Sequence, residues 1–147
     1  MIPTVATTVV HLAIGDCSDM PAVKLPPESA EQAEIVAELH CDEPGLFDLA
    51  AIEPDVVLVD LRGSDPDSVG TRLRLLRERF PKLKLLTIGQ PGDEAAARAS
   101  VLQNVAAHLS RDISPVTLLR AIVAVQRGQL NLGATAQRAI QKLARGE

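Results

Sequence analysis

Apolar residues in this chain fall into short unbroken runs, and between the runs the spacing becomes helical. The clearest run is PDVVLVD, Pro54 to Asp60, in which Val56 to Val59 lie between two aspartates with no polar residue to face water. A β-branched run that is apolar on both faces predicts a central strand of a parallel sheet, with helices above and below. Thr8 to Ile14 is a second run, interrupted only by His11 and ending at Gly15-Asp16. Leu83 to Ile88 and Val105 to Leu109 are two more, the first ending at Gly89-Gln90-Pro91-Gly92 and the second at Ser110-Arg111-Asp112. In Glu28 to Leu39 the earlier residues favour helix, while Glu34 to Leu39 is expected as a strand. Periodicity over so short a run does not separate the two.

The helical segments are better marked. Asp65 is an N-cap with Pro66 at the first helical position, followed by Val69, Leu73, Leu76 and Phe80 at helical spacing up to Pro81. Asp93 to Gln103 is an alanine-rich helix with Asn104 as its left-handed stop. Ser114-Pro115 opens another that runs through Leu118, Leu119, Ile122, Val123 and Val125 to Gly128. Leu46 to Ile52 predicts a short helix, Gln129 to Gly133 a loop, and Ala134 to Arg145 a last helix. Between Cys17 and Pro27 the pattern fails. Pro21, Pro26 and Pro27 break any helix begun there, so a first helix is expected to be displaced, shortened or replaced by loop. Strand–helix alternation of this kind predicts a doubly wound parallel α/β sheet of five strands.

Composition narrows the function. At 147 residues the chain predicts one domain, and 46% hydrophobic with 23% charged residues is globular composition. The only aromatics are Phe47 and Phe80, so the core must be aliphatic and stacking platforms for single-stranded nucleic acid are missing. A net charge of −4 adds no nucleic-acid surface. Two cysteines make no disulfide framework, and the N-terminus lacks a basic leader, so a soluble, cytoplasmic protein without a membrane partner is expected. Cys17 and Cys41 with His11 or His40 match no zinc spacing, and His40-Cys41-Asp42 reads as a polar turn. Arg72, Arg74, Arg77 and Arg79 spread around a helix among acidic neighbours, which predicts a solvated face. No glycine-rich phosphate loop follows a strand and no nucleophile–base pair can be named, so no enzymatic activity is expected.

What remains is Asp60. Ligands of open α/β sheets sit at the carboxyl ends of strands, so a carboxylate there is a candidate functional group, the alternative being an aspartate that caps its loop. The blocks PDVVLVDLRG (Pro54 to Gly63), LRLLRERFPKLKLLTIG (Leu73 to Gly89) and RDISPVTLLRAIVAVQRGQ (Arg111 to Gln129) resemble the receiver domains of two-component response regulators. The subclass resembled is the one followed by a helix-turn-helix DNA-binding domain. The resemblance implies a flavodoxin-like sheet of strand order 2-1-3-4-5, with a receiver-like domain over residues 1–128 and a linker and helix over 129–147. It implies that Asp60 is the phospho-acceptor for a histidine kinase, with Mg²⁺ offsetting the charge of carboxylate and phosphoryl group.

Matched position by position, the set is incomplete. Gly15-Asp16 keeps the second acidic residue of the metal pair and lacks the first, leaving Asp16 and Asp60 as metal candidates. The phosphate-contacting lysine falls at Arg111, which keeps the charge without the compact ammonium, and the usual Lys-Pro pair is Arg111-Asp112. The switch hydroxyl falls at Gly89, with Thr87 two residues earlier and deeper on the same strand face, and the switching aromatic falls at His108. His108 reads more simply as a space-filling strand histidine than as a pH switch. With one metal carboxylate gone, Mg²⁺ affinity is expected to be weak or absent. The expectation is an atypical receiver, or pseudo-receiver, acting through protein–protein contacts. The alternative is a conventional receiver phosphorylated on Asp60 that controls transcription through a DNA-binding domain outside this chain. Receivers dimerise through the fourth helix, fifth strand and fifth helix, which implies a homodimer face over Ala95 to Gln103 and Val116 to Gln126.

Overall fold

Two apolar clusters, one on each face of a single parallel sheet, hold the molecule together. The structure is a computed structural model that describes residues 6–16, 18, 22–109 and 114–147. Strands β1 (Thr7–Ala13), β2 (Ala33–His40), β3 (Val56–Asp60), β4 (Lys84–Ile88) and β5 (Ala107–Leu109) lie in the order β2-β1-β3-β4-β5, the predicted 2-1-3-4-5 arrangement. Every pairing is parallel. β3 is central and buried throughout, which is why its sequence needs no polar face.

One face carries the helices α1 (Glu43–Ile52), α2 (Pro66–Arg79) and α3 (Glu94–Leu102). They contribute Leu49, Val69, Leu73, Leu76, Ala96 and Ala99 to a cluster with Val10, Leu12, Val57 and Val59. The other face is covered by α4 (Pro115–Gln126) through Leu118, Ala121, Ile122 and Val125, packed on Val9, Val56, Leu58, Leu86 and Ile88. Full burial of each valine, leucine or isoleucine among them stabilises the fold by about 1.5–3 kcal/mol. The helix starts are those the caps predict. Asp65, Asp93 and Ser114 accept from Asp67, Ala96 and Thr117 backbone N–H groups. Asp42 accepts from Gly45 N–H at 2.7 Å and starts α1 three residues before the expected Leu46.

The crossover from β1 to β2 lacks an α-helix among the described residues. A 3-10 turn at Pro27–Ser29 stands there, and Val23 and Leu25 pack against the second cluster in the place a helix would fill. The prolines account for this, since they remove donors and hold Pro26 extended, at ψ 139°. A bulge lies in the same region: Val9 pairs with Ile35 and Val10 with Ala37, which leaves Val36 unmatched.

Two expectations need correction. The segment 129–133 is not all loop, because Asn131–Leu132 forms a sixth strand, β6, paired in parallel with Ala107 and His108. A two-residue strand leaves no periodicity to read, and it forms because the outer edge of β5 offers unpaired backbone groups. The arginines of α2 are not simply a solvated face. Arg77 donates to the carbonyls of Pro81, Leu83, Gln103 and Asn104, and Arg72 to that of Ile14 at 3.0 Å, so both fasten loops. The last helix, α5 (Ala134–Ala144), lies against α3. No helix among the described residues is long and apolar enough to cross a membrane.

Leu58→Ala should lower the unfolding free energy by about 2–5 kcal/mol in urea denaturation, because the cavity would open beneath α4. Phe47→Ala, at a side chain left exposed on α1, should change it by no more than about 0.5 kcal/mol.

Candidate functional site

Asp60 ends β3 at the carboxyl edge of the sheet, and its side chain has 0% exposure. A buried carboxylate is costly unless it is paired and hydrogen-bonded. Here both oxygens are engaged. Oδ1 accepts from the Arg62 backbone N–H at 3.1 Å and from Arg62 Nε at 3.0 Å. Oδ2 accepts from Arg62 Nη2 at 2.8 Å and lies 2.9 Å from His11 Nε2. Opposite an ionised carboxylate, Nε2 must carry the ring proton.

Local structure explains each partner. The chain turns sharply after Asp60, and a carboxylate accepting from the N–H two residues on is an Asx turn, which brings the Arg62 guanidinium back over it. The register sets Ala13 beside Asp60 and His11 beside Leu58. Side chains alternate along a strand, so His11 shares the face of Leu58 and Asp60 and reaches the carboxylate diagonally. Burial alone would push the Asp60 carboxyl up. The hydrogen bonds from His11 and Arg62, with the guanidinium charge, more than offset this and hold it well below the usual carboxylate range.

Asp16, the second metal candidate, spends its carboxylate elsewhere. Its Oδ1 accepts from Ser18 N–H at 3.1 Å and Ser18 Oγ at 2.7 Å, and these bonds lower its pKa. The backbones of the two strand-end loops close on each other. A Cβ on Gly15 would collide with backbone atoms of Gly63 and Ser64, and one on Gly63, where φ is +74°, would collide with the Asp16 carbonyl. An acidic side chain at position 15 has no room in this arrangement. Among the described residues, no three His, Cys, Asp or Glu side chains assemble as a metal site. As bonded here, Asp60 is not set up to hold a divalent cation: among the described residues Arg62 already supplies the positive charge, and the Asp60 lone pairs are directed at N–H donors.

The two switch positions meet each other. His108 has 0% exposure, and its ring lies where a side chain at position 89 would go: a Cβ on Gly89 would stand 3.1 Å from His108 Cε1 and 3.4 Å from the Ala96 Cβ. Nδ1 is 2.7 Å from Thr87 Oγ1 and 3.2 Å from Ser100 Oγ, the two hydroxyls are 2.7 Å apart, and Ser100 Oγ donates to the Ala96 carbonyl. A consistent proton path runs from Nδ1–H to Thr87 to Ser100 to Ala96. It leaves Nε2 a bare acceptor, and this atom is buried without a partner. Burial pushes the His108 pKa down to about 4, the nearby Asp93 charge opposing only in part.

Arg111 and Cys17 lie outside the described residues. His40 ends β2, Asp42 caps α1, and the intervening Cys41 is half-buried with its thiol pKa raised by burial. On the face expected to form a homodimer, β6 pairs along β5 and α5 lies against α3. Sequence reasoning missed His11 and Arg62 as partners of Asp60. The available signals were a lone polar residue in an apolar strand and an arginine two residues after a strand-end aspartate.

No family model matches the chain. Over 103 residues it is 25% identical to the transcriptional regulatory protein LnrK of Bacillus subtilis, covering 69% of this chain and 46% of that protein. The chain thus spans about half the length of this curated relative. The Salmonella typhimurium response regulator RcsB superposes with a TM-score of 0.70 at 18% identity, over 97% of this chain and 69% of that one. The isolated REC domain of RcsB with the phosphomimetic BeF3⁻ gives 0.64 at 18% identity, over 91% and 98% of the two chains. A two-component response regulator of the LuxR family from an Aurantimonas species gives 0.64 at 17%, over 97% and 99%. Likeness at these identities establishes the fold.

Two outcomes follow from the buried groups. His108 has a lowered folded-state pKa, so its contribution is complete above pH 6.5 and lost as pH falls toward 4. Unfolding free energy measured across that window should drop by about 3 kcal/mol, and His108→Gln should flatten the drop. Asp60 is likewise depressed, so its share should go only at lower pH. Arg62→Ala should cost about 3–5 kcal/mol in denaturant titration, because it strands a buried carboxylate, and should raise the Asp60 pKa in carboxyl-carbon NMR titration.

Proposed function

Starting from the fold of a response-regulator receiver domain, we propose that this chain is an atypical receiver that signals through protein–protein contacts, without an acyl phosphate on Asp60. The observation that carries this reading is the engagement of both Asp60 oxygens by Arg62 and His11 inside the fold. Attack on phosphorus needs a free carboxylate lone pair aligned with the leaving group and a metal to offset the charge of two anions. At Asp60 the lone pairs face an always-charged guanidinium, and the lowered pKa makes the carboxylate a poorer nucleophile. Freeing it would mean breaking a buried pair, at a cost of about 3–5 kcal/mol. Gly89 offers no hydroxyl to carry a displacement from the site to β5, and the His108 ring already fills the adjoining space.

The partners in this reading are proteins. The name of the curated relative supports a setting in transcription control, and RcsB is described as a response regulator in DNA interaction. A DNA-contacting part would lie outside this chain, and a histidine kinase would act as a docking partner rather than a phosphoryl donor.

Acetyl phosphate with Mg²⁺, followed by intact mass, should give no stoichiometric phospho-adduct and no change in solution size. Asp60→Asn should bind a cognate partner as tightly as wild type. A stoichiometric adduct accompanied by altered dimerisation would instead establish the conventional receiver.

A further inference from the structure

The C-terminal unit, β6 with α5, packs on one helix, α3, and on one short strand edge, and it does so through small side chains. β6 pairs with only Ala107 and His108 of β5. The residues α5 buries are Thr135, Ala136 and Ala139, small side chains that take little apolar area from water, while Ile140 stays 41% exposed. Its polar attachments to α3 include Lys142 Nζ to Glu94 at 2.7 Å and Arg98 Nη1 to the Glu147 carbonyl at 2.9 Å, both at exposed positions, where such contacts contribute little in water. The connection to α4 runs through Gly128, at φ +81°, and Leu130, which is 73% exposed. Segments held this way open at a free energy below that of the whole domain.

Beneath the unit lie the outer edge of β5 and the flank of α3. An uncovered strand edge is a template for another chain, and the one segment shown to fit this edge is the chain's own β6–α5. Every copy carries both halves of that contact, so exchange of the unit between two copies needs no new complementarity.

We propose that β6–α5 is a detachable latch that undocks as one unit and can be exchanged with a second copy of this chain, each copy closing the other's β5 edge and α3 flank. The device is independent of phosphate chemistry at Asp60. It differs from direct pairing of two α3–β5–α4 faces, because the face stays covered by β6–α5 in monomer and dimer alike.

The test uses the full chain. In native-state hydrogen exchange, amides of α5 should exchange together and at least about ten-fold faster than those of β3. Asp60→Asn should leave the exchange rates of the α5 amides themselves unchanged, which separates failure of the latch from failure of the receiver reading. Deleting Gln129 and Leu130 shortens the hinge so that the unit cannot fold back on its own β5. This variant should be dimeric by light scattering, with α5 still protected, while wild type is chiefly monomeric. The latch is overturned if α5 exchanges at the rate of β3 or if the deletion unfolds the whole domain. Exchange between copies is overturned if the deletion variant is monomeric with α5 unprotected.

Discussion

The ion pair between Asp60 and Arg62, braced by His11, is the constraint on which the carboxyl edge of this sheet depends. A carboxylate without solvent at the end of the central strand has to be balanced from within the protein. The balance comes from the turn that follows and from the neighbouring strand, so charge, loop shape and strand register are tied together. The tight contact between the Gly15–Asp16 and Gly63–Ser64 backbones belongs to the same arrangement. It closes the space that an acidic side chain at position 15 would occupy.

A related substitution lies one strand over. Gly89 and His108 are matched in shape, one without a side chain and the other with a ring lying against the vacated place. Thr87 and Ser100 hold that ring from the side of α3. The polar groups are satisfied except Nε2, so the imidazole acts as a neutral core residue rather than as a titrating surface group. His108 is thus joined to α3 by hydrogen bonds and to the C-terminal unit by the pairing of β5 with β6. The departures from the receiver pattern are mutually fitted, as side-chain room lost at one position is used by its neighbour.

The sequence alone determined the architecture. Apolar runs marked β1, β3, β4 and β5 and left β2 between helix and strand, the capping residues Asp65 and Ser114 marked two helix starts, and the prolines at 21, 26 and 27 foretold the irregular first crossover. These are local signals, carried by burial period and backbone preference, and they survive in one dimension. Asp60 could be singled out for the same reason, since a strand end is legible from the run that precedes it.

Only tertiary structure decided what Asp60 is bonded to. Arg62 lies two residues away and His11 forty-nine, and no periodicity links either side chain to the carboxylate. Strand register and the Asx turn bring them together. The same holds for the Gly89–His108 fit and for the two-residue strand on the edge of β5, whose formation depends on an edge assembled from distant segments. Where burial sets the pattern, sequence suffices. Where a polar atom must find its partner, the fold chooses.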